Sequence, residues 1–153
     1  MFKKILPLII VTVLVLCSCK NRKNTGEPPV SNPPVEQPSE SFKSIDSSAI
    51  DGLNKSIASG TLNTAEEIIS AYAPRDSTAE GKYAYTITKT ETENNTTEVT
   101  LIEEGLMDDS RAGRKVIMTL VLENDRYKII SMKENYKCWS GRGHETWGVE
   151  PCL

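Results

Sequence analysis

From Gly81 onward the apolar residues of this chain stop recurring every three or four positions and begin to alternate. Tyr83, Tyr85 and Ile87 alternate with Ala84, Thr86 and Thr88, and after Asn94-Asn95 the pattern resumes with Val99 and Leu101. A third run, Val116, Met118, Leu120 and Leu122, has a second apolar face in Ile117 and Val121 and is expected at the centre of a sheet. Asn124-Asp125 then leads into a fourth run, Tyr127 to Met132. A period of two puts successive side chains on opposite faces of a strand, and short Asn/Asp connections suit hairpins. The expectation is a four-stranded antiparallel meander.

Helical spacing precedes it. Ile45, Ala49, Ile50, Leu53 and Ile57 suggest a short amphipathic helix between Ser44 and Gly60, weakened by Gly52 and several serines. A second helix is better signalled. Thr64-Ala65-Glu66-Glu67 is a capping box, followed by an apolar face of Ile68, Ile69 and Tyr72 and a stop at Pro74. Glu66 and Glu67 are read as partners of the helix dipole rather than as catalytic carboxylates. One or two helices packed on one face of a meander make the expected fold class α+β.

The residues before that domain determine the compartment expected for it. Lys3 and Lys4 precede an apolar run from Ile5 to Leu16, about 12 residues, whereas a membrane span needs ~20. A charged head, a short apolar middle and a small-residue boundary describe a signal peptide over residues 1–18. Leu16-Cys17-Ser18-Cys19 resembles the lipobox of bacterial lipoproteins, and the small Ser18 favours Cys19 over Cys17 as the modified residue. The resemblance implies a lipid on Cys19. Lys20, in place of aspartate, implies the outer membrane by likeness to lipoprotein sorting signals. Residues 19–43 then form a tether, because Pro28, Pro29, Pro33, Pro34 and Pro38 among polar residues cannot build a core and favour extended backbone at ~3.1 Å per residue. Residues 44–153 suit one domain.

Export also sorts the cysteines. Cys17 leaves with the leader, Cys19 carries lipid, and Cys138 and Cys152 are expected to pair in an oxidising compartment. Closing that loop of about 15 residues is worth ~3 kcal/mol on the chain-entropy estimate. Charge excludes one class of partner. The full chain carries a formal −3, and loss of Lys3 and Lys4 takes it to −5, with no dense basic stripe to hold nucleic acid. Lys20, Arg22 and Lys23 stand beside the lipid, where they either meet an anionic membrane surface or are simply solvated.

The order of helix and meander over residues 65–137 is similar to cystatin-like and NTF2-like domains of exported bacterial proteins. The ending, Cys138-Trp139-Ser140-Gly141-Arg142-Gly143-His144-Glu145-Thr146-Trp147-Gly148-Val149-Glu150-Pro151-Cys152, resembles a CWxGRGHxxWxxxPC tail of uncharacterised secreted and lipoprotein-type bacterial domains. That likeness implies a fold and no activity. Trp139, Arg142, His144 and Trp147 are the candidate binding residues, and two readings stay open for them. The tail either plugs one end of the sheet or presents an aromatic and basic patch to a glycan, peptide or envelope protein.

Catalytic, metal and cofactor sites are not expected. His144 is the only histidine and no spacing pairs it with an activated nucleophile. Cys138, His144 and Cys152 would give zinc only three ligands, two of them removed by oxidation. Asp108 and Asp109, in the loop GLMDDSRAG, suit turn chemistry better than cation binding. The expected function is a non-catalytic binding module of the cell envelope, of which an inhibitor or immunity-type protein is one concrete form and for which an acidic chain suits a basic target. The alternative is an NTF2-like domain that binds, or weakly hydrolyses, a small molecule.

Overall fold

The computed structural model describes residues 40–93 and 95–153; the leader, Cys19 and residues 20–39 of the expected tether lie outside them, while residues 40–43, also expected in the tether, pack on the domain. The order of elements is β1 (Lys43–Ser44), α1 (Ser47–Ala58), α2 (Ala65–Tyr72), β2 (Ala84–Thr92), β3 (Thr96–Glu104), β4 (Arg111–Glu123) and β5 (Arg126–Cys138). The class is α+β, as the pattern implied. The sheet has five strands and not four, in the order β1-β5-β4-β3-β2, every neighbour antiparallel. The extra strand is two residues long. It pairs Lys43 with Glu134 and Ser44 with Lys133, and a stretch that short carries no readable period.

Local chemistry sets the element ends. Asp46 caps α1 by accepting from the Ser48 amide at 2.8 Å. Thr64 and Glu67 form the capping box of α2, with Thr64 Oγ1 accepting from the Glu67 amide at 3.2 Å and Glu67 Oε2 accepting from the Thr64 amide at 3.0 Å. Asn124 and Asp125 both take positive φ, 51° and 61°, which matches the right-handed twist of the strands they join.

The helices cover one face of the sheet. Ile57 of α1 and Ala65, Ile68 and Ile69 of α2 are buried against Val99, Leu101, Val116, Met118, Leu120, Ile129 and Met132. Asn54 fastens α1 to β5 by bonding both the amide and the carbonyl of Ile129, at 2.8 and 3.2 Å. The opposite face carries Thr86, Thr88, Thr100, Ile117 and Thr119, exposed or half-buried. Two irregularities interrupt the β4–β5 ladder, one between Thr119 and Leu120 and one between Arg111 and Gly113. In the second, Ala112 is an extra residue on β4, so the strand's alternation slips by one at its start.

Candidate functional site

The tail's backbone returns along the edge of β5. The Tyr136 and Gly148 amides and carbonyls exchange two hydrogen bonds, at 3.0 and 2.9 Å, and the Cys138 amide donates to the His144 carbonyl at 2.8 Å. β1 covers the same edge further along, where the Ile45 amide reaches the Met132 carbonyl at 3.0 Å. An edge strand presents unpaired backbone groups, and here β1 and the tail share the task of covering them. The Cys138–Cys152 disulfide closes the loop, with Cys138 buried. Gly143 has φ of 144°, and a Cβ there would stand 2.8 Å from the Cys138 sulfur, so only glycine lets the loop lie on the bridge.

The four candidate binding residues divide into two pairs. His144 and Trp147 work inside the tail. Both ring nitrogens of His144 face carbonyls, Nδ1 at 2.7 Å from Thr146 and Nε2 at 2.8 Å from Glu150; the charged ring donates to both and the neutral ring to one. Trp147 is half-buried, with Lys115 Nζ 4.6 Å and Lys137 Nζ 5.0 Å from its ring centroid. Those lysines are themselves held by Glu40 and Glu104. Trp139 and Arg142 instead face outward. Trp139 is 40% exposed while its indole N–H donates to the Asp108 carbonyl at 2.8 Å, and Arg142 is exposed, bound through its backbone to Trp139 and Leu153.

Tyr136 is a β5 residue that anchors the tail and that the pattern of the sequence does not single out. Its hydroxyl donates to the Val149 carbonyl at 2.7 Å, its ring centre lies 5.6 Å from that of His144, and the Arg111 guanidinium stacks on it at 4.6 Å. It lies beyond the alternating run expected to end at Met132.

A second constellation lies where the 105–110 loop meets β4. Glu103 is 2% exposed, on the helix-covered face, and its Oε2 accepts from Arg114 Nε at 2.8 Å and Nη2 at 2.6 Å. Tyr83 donates its hydroxyl to Glu103 Oε1 at 2.9 Å and accepts from the Asp76 amide at 3.2 Å. Burial raises the Tyr83 hydroxyl above its ordinary value, the Glu103 carboxylate acting in the same direction. Asp108 folds its own loop by accepting from the Ser110 and Arg111 amides at 2.8 and 2.7 Å, and those bonds hold it below the usual carboxylate range. Asp76 is lowered likewise by its bonds from Thr78. Above this network opens a pocket of about 260 Å³ lined by Asp76, Leu106, Met107, Asp108, Arg111 and Arg114. Sequence periodicity hid the site because it depends on the Ala112 bulge, which no spacing rule reveals.

A larger cleft of about 650 Å³ lies at the other end of the sheet, between the end of α1 and the β4–β5 turn, lined by Ile57, Ala58, Arg126 and Tyr127 among others. Arg126 crosses it to donate to the Ala58 carbonyl at 2.8 Å, capping α1. No group of histidine, cysteine and carboxylate side chains suited to a metal ion occurs among the described residues. No helix among the described residues is long and apolar enough to cross a membrane. Comparison with known proteins finds no matching family model, no matching curated protein and no matching solved structure.

Proposed function

We propose that this chain is a non-catalytic binding module, held at the cell envelope, in the outer membrane, by a lipid on Cys19, and that it contacts a protein partner through the end of the sheet where the tail meets the 105–110 loop. One observation carries the reading. Among the described residues five large apolar side chains are exposed, and three of them, Met107 at 70%, Trp139 at 40% and Leu153 at 83%, belong to this end, beside the exposed Arg142. The Trp139 indole bonded to Asp108 brings the tail against the loop that bears Met107. Aromatic, methionine and arginine side chains grouped in this way are the usual centre of protein contacts. The space between helices and sheet supports the same reading over an NTF2-like pocket, because Ile68, Ile69, Leu101, Met118 and Leu120 fill it.

The test is capture from envelope extracts by the full-length lipidated chain, compared with Met107→Ala and Trp139→Ala. Both variants are expected to lose the partner while their melting temperatures stay within a few degrees of wild type. Capture equal to wild type by both would refute the contact surface. Metabolic labelling with a fatty-acid probe tests the attachment separately, and label retained in Cys19→Ala would refute it.

A further inference from the structure

Four ionised side chains line the pocket above Glu103, two of each sign: Asp76, Asp108, Arg111 and Arg114. Opposite charges sharing so small a space normally pair. Here Arg114 pairs with Glu103 beneath the pocket, and no ion pair within 4.0 Å joins any two of the four lining residues. Each is instead fixed from behind. Asp76 is held by the Thr78 amide and hydroxyl, at 2.8 and 2.7 Å, and Asp108 by Ser110 and the Arg111 amide. Arg111 is held by the face of Tyr136, and Arg114 by the buried carboxylate.

The bulge explains how both arginines reach one pocket. Residues three apart on a regular strand point to opposite faces, so Arg111 and Arg114 would be separated by the sheet. The extra Ala112 reverses the alternation between them, and Arg111 comes to lie over Tyr136, the register partner of Arg114. Leu106 and Met107 complete the lining with apolar surface.

From this we infer that the pocket formed by Asp76, Leu106, Met107, Asp108, Arg111 and Arg114 binds a free α-amino acid with an apolar side chain. The carboxylate of such a ligand meets the Arg111 guanidinium, whose forked donors suit planar oxygens, and the Nη1 group of Arg114, whose Nε and Nη2 already bond Glu103. Its ammonium group meets the carboxylates of Asp76 and Asp108, and its side chain lies on Leu106 and Met107. A bare carboxylate would leave both aspartates unmatched, and a simple amine would leave Arg111 unmatched, Arg114 being paired with Glu103. The pocket shares Met107 with the contact surface proposed above, but the inference concerns a small molecule and is tested without any protein partner.

The experiment is amide chemical-shift titration of the intact chain with L-leucine, N-acetyl-L-leucine and L-leucinamide as probes, at millimolar concentration. Leucine is expected to shift the amides of Asp76, Met107 and Arg111, and each blocked analogue to bind about tenfold more weakly. Asp76→Asn keeps the oxygen that accepts from Thr78 and removes the charge. It is expected to weaken leucine and to leave N-acetyl-leucine unchanged, whereas Arg111→Gln weakens both. Equal binding of leucine and N-acetyl-leucine would overturn the inference in favour of a plain carboxylate site. Equal binding of leucine and leucinamide would overturn it in favour of a cation site, and absence of shifts at these amides with every probe would overturn it outright.

Discussion

Replacing Arg114 by methionine should cost far more than its place at the rim of a pocket suggests. The change removes both guanidinium bonds to a carboxylate that is 2% exposed, leaving Glu103 with only the Tyr83 hydroxyl for support. Removing one member of a buried ion pair costs about 3–5 kcal/mol, because the remaining charge has neither water nor a partner. The Arg114 side chain is 28% exposed, so water reaches the gap and the lower figure, about 3 kcal/mol, applies. At roughly 4–8 °C per kcal/mol for a domain of about 100 residues, the melting temperature should fall by roughly 12–24 °C. The double variant Glu103→Met/Arg114→Met removes the charge as well. It leaves the Tyr83 hydroxyl without its acceptor, a loss of about 1 kcal/mol, and should therefore be more stable than Arg114→Met alone. Lys128→Met is the internal standard, since Lys128 and Glu123 lie 3.6 Å apart with side chains 57% and 53% exposed. It should change stability by less than about 0.5 kcal/mol. Urea denaturation of the three variants at neutral pH measures the free-energy differences, and thermal melting of Arg114→Met measures the fall in melting temperature. If Arg114→Met costs no more than Lys128→Met, or the double variant is the least stable of the three, the reasoning about a buried charge is wrong.

Other outcomes follow from the same physical account. The bonds from the Asn63 and Thr64 amides hold the Glu67 carboxyl below its ordinary value of 4.5, so its stabilisation of α2 is complete above pH 4.5 and is lost as the pH falls through the lowered value. Circular dichroism of Glu67→Gln should show a smaller loss of helix than wild type between pH 5 and about pH 3. Reduction of the Cys138–Cys152 bridge should cost about 3 kcal/mol and speed hydrogen exchange at the Tyr136 and Cys138 amides, whose acceptors are tail carbonyls; unchanged exchange there would show that the tail holds the edge without its bridge. At the other edge of the sheet, Lys89 and Glu91 stand on the same face of β2 as Tyr85 and Ile87, 3.6 Å apart, where an added strand would bury both charges. Lys89→Val/Glu91→Val should therefore make the chain self-associate in size-exclusion chromatography, and a monomeric variant would mean that something else blocks that edge.

What could be read from the residues, and what could not, divides by the range of the interaction responsible. Thr64 and Glu67 lie three positions apart and meet in the structure because a helix turn brings such neighbours together. The same locality made the four long strands, the Asn124-Asp125 turn and the apolar face of α2 legible. β1 escaped notice because two residues have no period, and it exists only because the chain passes the free edge of β5. For His144 and Trp147 the sequence leaves two readings open, a plug at one end of the sheet or a patch for a partner. Their environment is decided by Thr146, Glu150, Lys115 and Lys137, and Lys115 lies on β4, a strand that sequence distance does not connect to the tail. The pocket was hidden for a third reason. Alternation assigns Arg111 and Arg114 to opposite faces, and one inserted residue, Ala112, reverses that assignment. A bulge is thus invisible to the very rule that finds the strand, and it is able to gather charges that the pattern would keep apart.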